Sequence, residues 1–150
     1  MKVREIMTPD PKVLTKGDDV ASAARLMRAE DIGFVPIVDN LSNKELVGVI
    51  TDRDIAIRCV ADERAPNSPL GEFMSHDKID SVGPDEDVHE LMHRMENDQV
   101  RRIPVVDEGH RIIGVVAQAD LARRIGPTEP AAVEHVLEAI SQPATHTASI

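Results

Sequence analysis

Two short stretches carry the residues best suited to chemistry. Gly48-Val49-Ile50-Thr51-Asp52-Arg53-Asp54 runs from an apolar strand into a helix, and Gly114-Val115-Val116-Ala117-Gln118-Ala119-Asp120 repeats it 66 residues later. The first N–H groups of a helix have no partner within it, so such a turn suits an anion or a ribose. Thr51 offers a hydroxyl there, and Asp54 a carboxylate that can accept from a diol. The same Thr-x-x-acid spacing also describes a helix cap, in which the Thr oxygen accepts an early N–H and the acid reaches back. The heptapeptide alone supports capping and ligand binding equally. In the copy, Ala117 removes the cap while Asp120 remains, so the turn is expected to form without it.

Composition narrows the function classes. The chain has 150 residues, 41% of them apolar, enough for one ordinary domain or two small interdependent ones. Phe34 and Phe73 are the only aromatics, so the core is aliphatic. Without aromatic platforms, single-stranded nucleic acid is a poor ligand. A net charge of −10 repels nucleic acid and anionic membrane, so any phosphate ligand needs a local cluster of positive charge. Cys59 is the single cysteine, which leaves no intrachain disulfide and fits a reducing cytosol. No basic leader and no apolar run near 18 residues is present, so a soluble, cytoplasmic protein is expected.

The elements that must position the two turns also come in pairs. A short apolar segment ends at Thr8-Pro9, and its partner is Leu70 to Ser75, with Met7 and Met74 67 apart. Strands are expected at Lys12 to Thr15 and Lys78 to Val82. Acidic helix starts follow, with Asp18 or Asp85 to Asp87 available as caps. One helix places Val20, Ala24 and Met27 on a stripe, the other Val88, Leu91, Met92 and Met95; both stripes read as core. The β-branched strands around Pro36 and Pro104 come next, and an internal Pro suggests an edge position or a strand start. Strands Leu46 to Ile50 and Ile112 to Val116 then lead into the turns, followed by helices from about Asp52 to Ala61 and Gln118 to Ile125.

The unit is therefore strand, helix, strand, strand, helix, present twice in an α/β fold. Boundaries fall at 1–60 and 70–126, with a polar linker at 61–69 and a tail region at 127–150. Within that region Val133, Val136, Leu137 and Ile140 define one more amphipathic helix, with Thr128 as its cap and Pro130 in its first turn. A small polar tail runs from Gln142 to Ile150.

Over residues 1–125 this duplication, with Gly48-x-x-Thr51-x-x-Asp54 and the Pro-containing strands ending in Asp39 and Asp107, resembles a tandem pair of CBS domains, the Bateman module of small stand-alone bacterial proteins. The resemblance implies βαββα units packed about a pseudo-two-fold axis, with two clefts that bind AMP, ADP, ATP or S-adenosylmethionine. It implies a regulatory role without catalysis, a homodimer, and a separate regulated protein. Carried over residue by residue, Thr51 bonds ribose or phosphate and Asp54 the ribose hydroxyls. Arg101-Arg102, just before the second Pro-containing strand, supply phosphate contacts where the first copy has Gly33-Phe34. In the family pattern one cleft thus combines Thr51, Asp54, Arg101 and Arg102; the other keeps Asp120 as ribose acceptor but has Ala117, Gly33 and Phe34. The expectation is one competent and one degraded site. Adenine is expected between aliphatic walls from Ile6, Val13, Leu14, Val35 and Ile37 or their copies.

Two rival readings stand beside this one. The chain could be a ligand-free dimerisation module, or a metal- or redox-responsive stress protein using Cys59 and its histidines. His89 and His93 have an i, i+4 metal spacing but fall outside the buried stripe, which favours a solvated face. Cys59 reads as a buried, inert thiol. Arg53 and Arg58 are candidates for a cleft mouth or a dimer surface. No phosphate-binding P-loop, carboxylate pair or zinc-protease motif points to an enzyme.

Overall fold

The computed structural model describes residues 1–77 and 79–143. Lys78, where a strand was expected to start, and residues 144–150 of the expected tail lie outside the described residues. The chain forms two compact units. The first comprises Pro11–Ile79 with Gly109–Ile112; the second comprises Met1–Asp10, Asp80–Glu108 and the chain from Ile113 onward.

The first unit is a three-stranded sheet with helices. Strand β2 (Leu14–Thr15) runs parallel to β3 (Phe34–Val38), and β3 is antiparallel to β4 (Leu46–Thr51), in the order β2-β3-β4. Helix α1 (Val20–Glu30) connects β2 to β3, with Asp19 as its N-cap accepting from the Ser22 N–H. Its next two orphan donors, Val20 N–H and Ala21 N–H, are taken up by the carbonyls of Ser68 and Pro66. The 61–69 connector therefore caps a helix as well as joining the repeats. The free edge of β4 is covered by Ser75, which exchanges both backbone hydrogen bonds with Val49 at 2.9 Å. Gly48 admits this neighbour: a Cβ there would lie 2.7 Å from Met74 Sδ and 3.0 Å from the Ser75 carbonyl oxygen. The core holds Val20, Ala23, Met27, Val35, Ile37, Ile50 and Cys59, completed by Leu70 and Phe73 from the start of the second repeat.

The second unit repeats this plan with the exchange reversed. Helix α3 (Val88–Asp98), β5 (Arg102–Val106), β6 (Ile112–Ala117) and α4 (Gln118–Arg124) belong to the second repeat. The edge of β6 is covered from the other end of the chain by β1 (Thr8–Pro9), in the register Thr8↔Val115 and Pro9↔Gly114. Gly114 makes room for it, since a Cβ would meet Met7 Sδ at 2.5 Å. The Val88 N–H donates to the Met1 carbonyl, the counterpart of Val20 with Ser68. Val3 and Ile6 complete a core of Val82, Val88, Leu91, Met92, Met95, Ile103, Val105, Val116, Leu121 and Ile125. Helix α5 (Pro130–Ser141) adds Val133, Val136 and Ile140 to it.

Several local expectations change. The buried stripe of α1 uses Ala23 rather than Ala24, because i, i+3, i+7 faces this core and Ala24 is exposed. Pro36 lies in the central strand, not an edge. Strand β2 is only two residues long and pairs with Ile37 and Val38, so it offers Pro36 no partner to miss. The strand expected at 78–82 is reduced to one parallel bridge, Val82 to Val105. The helix after Thr51 is α-helical over α2 (Asp52–Asp54) and continues as a π-helix over Ile55–Val60, whereas its copy α4 is regular. The N-cap of α5 is Glu129; the Thr128 hydroxyl instead donates to the Ile125 carbonyl.

Candidate functional site

Strand β4 buries Leu46, Gly48 and Ile50 and leaves Val47, Val49 and Thr51 half-buried, so alternation delivers the Thr51 side chain to the surface. Thr51 is extended, with φ −117° and ψ 162°, and the helix starts at the next residue. Its Oγ1 accepts the Asp54 N–H at 3.0 Å, and Asp54 Oδ2 accepts the Thr51 N–H at 2.9 Å. The capping box is complete. It leaves two groups for other work: the hydroxyl hydrogen of Thr51 and the second oxygen, Oδ1, of Asp54. Arg58 Nε lies 3.8 Å from that oxygen, while Arg58 Nη1 donates to the Phe73 carbonyl at 3.0 Å.

Around this turn, the Asp52 N–H donates to the Gly33 carbonyl at 3.0 Å. A Cβ at Gly33 would approach Asp52 Oδ2 to 2.6 Å, so no basic side chain fits there without moving Asp52. Val13 and Leu14 are half-buried, Leu14 opposite Ile37. Val35 and Ile37 are fully buried in the first core, and Ile6 is buried in the second. None of those three presents an open wall to a base, which leaves Val13 and Leu14 as the aliphatic candidates.

The copy has the same backbone and different electrostatics. Ala117 sits at φ −110° and ψ 162°, and Asp120 Oδ2 accepts its N–H at 2.8 Å, so half a box suffices to form the turn. The two carboxylates are similarly buried, with side chains 8% exposed at Asp120 and 13% at Asp54. Asp120 Oδ1 accepts from the Thr8 hydroxyl at 3.4 Å and from Arg123 Nη2 at 3.1 Å. Both oxygens of Asp120 are therefore engaged within the protein. The Gln118 N–H donates to the Arg101 carbonyl, as Asp52 does to Gly33. The Arg101 and Arg102 side chains are exposed and make no hydrogen bond or ion pair among the described residues. The units thus divide the expected groups: Thr51, Asp54, Val13 and Leu14 lie in the first, Arg101, Arg102 and Asp120 in the second.

Replacing Asp120 with alanine should act on stability. It removes the acceptor of the half-buried Ala117 N–H, at about 1 kcal/mol, whereas the exposed Thr8 hydroxyl and Arg123 guanidinium turn to water. A denaturant midpoint that falls while the slope stays constant is the expected readout.

Arg58, Arg123 and Thr8 were not assigned these roles from sequence. Arg58 and Arg123 follow their acids at i+4 and i+3, which is visible in the sequence; Thr8 is 112 residues from Asp120 and gives no local signal. Cys59 is 2% exposed, with Sγ 3.7 Å from the Arg64 carbonyl oxygen. Among the described residues no three His, Cys, Asp or Glu side chains are grouped to hold a metal ion, and no helix is long and apolar enough to cross a membrane.

Comparison with known proteins places these turns in context. A family model for the CBS domain matches residues 3–60 and 70–127. Hypoxic response protein 1 of Mycobacterium tuberculosis is 36% identical over 122 residues, covering 81% of this chain and 83% of its own. Its structure, solved with two coordinated zinc ions, superposes with a TM-score of 0.73 over 83% of this chain and 98% of that one. The CBS domain pair of protein MJ0100, in complex with 5'-methylthioadenosine and S-adenosyl-L-methionine, gives a TM-score of 0.74 at 28% identity, over 85% and 97% of the two chains. Inosine-5'-monophosphate dehydrogenase of Streptococcus pyogenes is 31% identical over 116 residues, 77% of this chain but 22% of the enzyme.

Proposed function

Since this chain belongs to the CBS-domain family, we propose that it is a regulatory module that senses an adenosine compound through Thr51 and Asp54. The observation that carries this reading is the contrast between the two acids. Asp54 completes a capping box with one oxygen and keeps Oδ1, held only by a 3.8 Å ion pair, to accept from a ribose diol. Asp120 has both oxygens engaged. The ligands of the MJ0100 pair support an adenosine compound as the class. For AMP, ADP or ATP, a chain of net charge −10 needs charge-assisted phosphate contacts, and Arg101 and Arg102, exposed and without an ion pair among the described residues, are the candidates for them. The module works as a cytoplasmic homodimer whose ligand-dependent packing is read by a separate protein, which requires two states of different affinity.

The test is a thermal-shift titration with AMP, ADP, ATP, S-adenosylmethionine and 5'-methylthioadenosine. With no Trp or Tyr, unfolding is followed by dye or circular dichroism. A ligand at 100 times its dissociation constant should add about 2.7 kcal/mol. Asp54→Ala should abolish that increment for every ligand, whatever it does to the ligand-free midpoint. Replacing both Arg101 and Arg102 with alanine should weaken the phosphorylated ligands and spare 5'-methylthioadenosine. An increment that survives Asp54→Ala would rule out the ribose role. No increment from any compound at millimolar concentration would leave an interaction module.

A further inference from the structure

Helix α5 lies outside the repeat. The CBS match ends at residue 127, α5 begins at Pro130, and the first repeat has no counterpart of it. It packs on α3 and α4 of the second unit. The polar side of its contact with α3 is mostly histidine facing carboxylate. His89, on α3, has Nε2 2.8 Å from Glu129 Oε2 and Nδ1 3.3 Å from Asp87 Oδ1. It thereby joins the N-cap residues of the two helices, because Asp87 caps α3 and Glu129 occupies that position in α5. Further along α3, Glu96 Oε2 lies 3.6 Å from His93 Nδ1 of the same helix and 3.7 Å from His135 Nε2 of α5. Gln99 Nε2 adds a further polar tie, donating to the carbonyls of Ala139 and Gln142.

We propose that α5 is a pH-set strap: histidine–carboxylate bridges hold it on α3 more tightly in mild acid and slacken as pH rises through neutrality, while the sheet beneath is unaffected. The reason is geometric. Neutral imidazole has one N–H, yet His89 faces a carboxylate at each ring nitrogen, and only the imidazolium can donate to both. His93 and His135 share a single Glu96 oxygen, which places a second histidine–carboxylate contact on the same seam. The Met1 amine also acts on Asp87, while Arg94 of α3 donates to the Ser81 carbonyl and pairs with Glu86. On the α4 side, Glu134 and Glu138 line a groove of about 580 Å³ with Ala122 and Gly126, and Arg123 and Arg124 end α4.

The titration has the required sign. His89 is raised above its ordinary 6.5, first by its hydrogen bond to Glu129 and then by that carboxylate's charge. A group raised on docking contributes fully below its ordinary value and loses the contribution as pH climbs through the raised one. A change of pH also alters the general repulsion in a chain of net charge −10, so the measurement needs an internal reference.

Amide hydrogen exchange supplies one. Protection of Val136 and Leu137 in α5, corrected for intrinsic rates, is compared with that of Val105 and Val106 in β5, between about pH 5.5 and about pH 8.5. The ratio should fall several-fold across this range in the native chain and flatten in His89→Gln, which keeps a donor but does not titrate. The His89 ring should titrate above 6.5 by NMR and drop toward it in Glu129→Gln. A pH-independent ratio in the native chain, an undiminished slope in His89→Gln, or a His89 midpoint at or below 6.5 would each overturn the strap.

Discussion

Replacing Phe73 with alanine should cost about 3–5 kcal/mol, a large share of the stability of a small domain. Phe73 is 2% exposed and belongs to the core built around Val35, Ile37 and Ile50, although it lies in the second repeat by sequence. It follows the 3-10 turn Leu70–Glu72, and its N–H donates to the Leu70 carbonyl, which places both side chains inward. The Arg64 guanidinium stands 5.1 Å from the ring centroid and loses that face as well. The aliphatic neighbours cannot close over a hole of that size without moving β3 or β4, so a cavity term adds to the lost transfer energy. Urea unfolding should show a lower midpoint. Native-state exchange should locate the loss at Val35, Ile37 and Ile50. Earlier loss at Val105 and Val116 would contradict the placement of residues 70–75 in the first unit.

Ile6→Ala should do the reverse. Ile6 is 2% exposed among Val82, Val88, Met95, Val105, Val116 and Leu121, every one from the second repeat. An isoleucine truncated in such a core costs about 2–5 kcal/mol. Its carbonyl-side neighbour Met7 sits over Gly114, and Thr8 reaches Asp120, so the segment that Ile6 anchors also holds the second turn. Exchange should quicken at Val105 and Val116 before Val35 and Ile50. The opposite order would mean that residues 1–10 stabilise their own repeat.

These two variants probe what the sequence leaves open. The duplication is legible because its spacing is regular: Met7 with Met74, Val20 with Val88, Asp39 with Asp107. Strand β4, helix α3 and the Thr51–Asp54 turn follow from local pattern and appear as expected. Which repeat each short leading segment joins is not a local property. Met7 and Met74 are equivalent in both arrangements, so periodicity cannot choose between them. The same limit applies to the site. The capping box and the unpaired arginines are local, whereas the engagement of Asp120 by Thr8 depends on that exchange. The choice of Ala23 over Ala24 turned on a sheet the helix pattern does not describe. The histidines of α3 are exposed as their place off the buried stripe implied, but the Glu129 that meets His89 comes from outside the repeat and is not foreseen by its pattern.

The exchange also sets an order of events during synthesis. Nearly all of the first unit is one continuous stretch, residues 11–79, and its central contacts can form once that stretch has left the ribosome. The second unit cannot close until β6 is made, because β1 has nothing to pair with before then. Thr8 and Asp120 meet across 112 intervening positions, and such non-local pairing slows folding through its loop-closure cost. Val3 and Ile6 therefore wait, apolar and uncovered, while more than a hundred later residues are added. Charged Lys2, Arg4 and Glu5 flank them, which helps keep that waiting segment from associating with other chains.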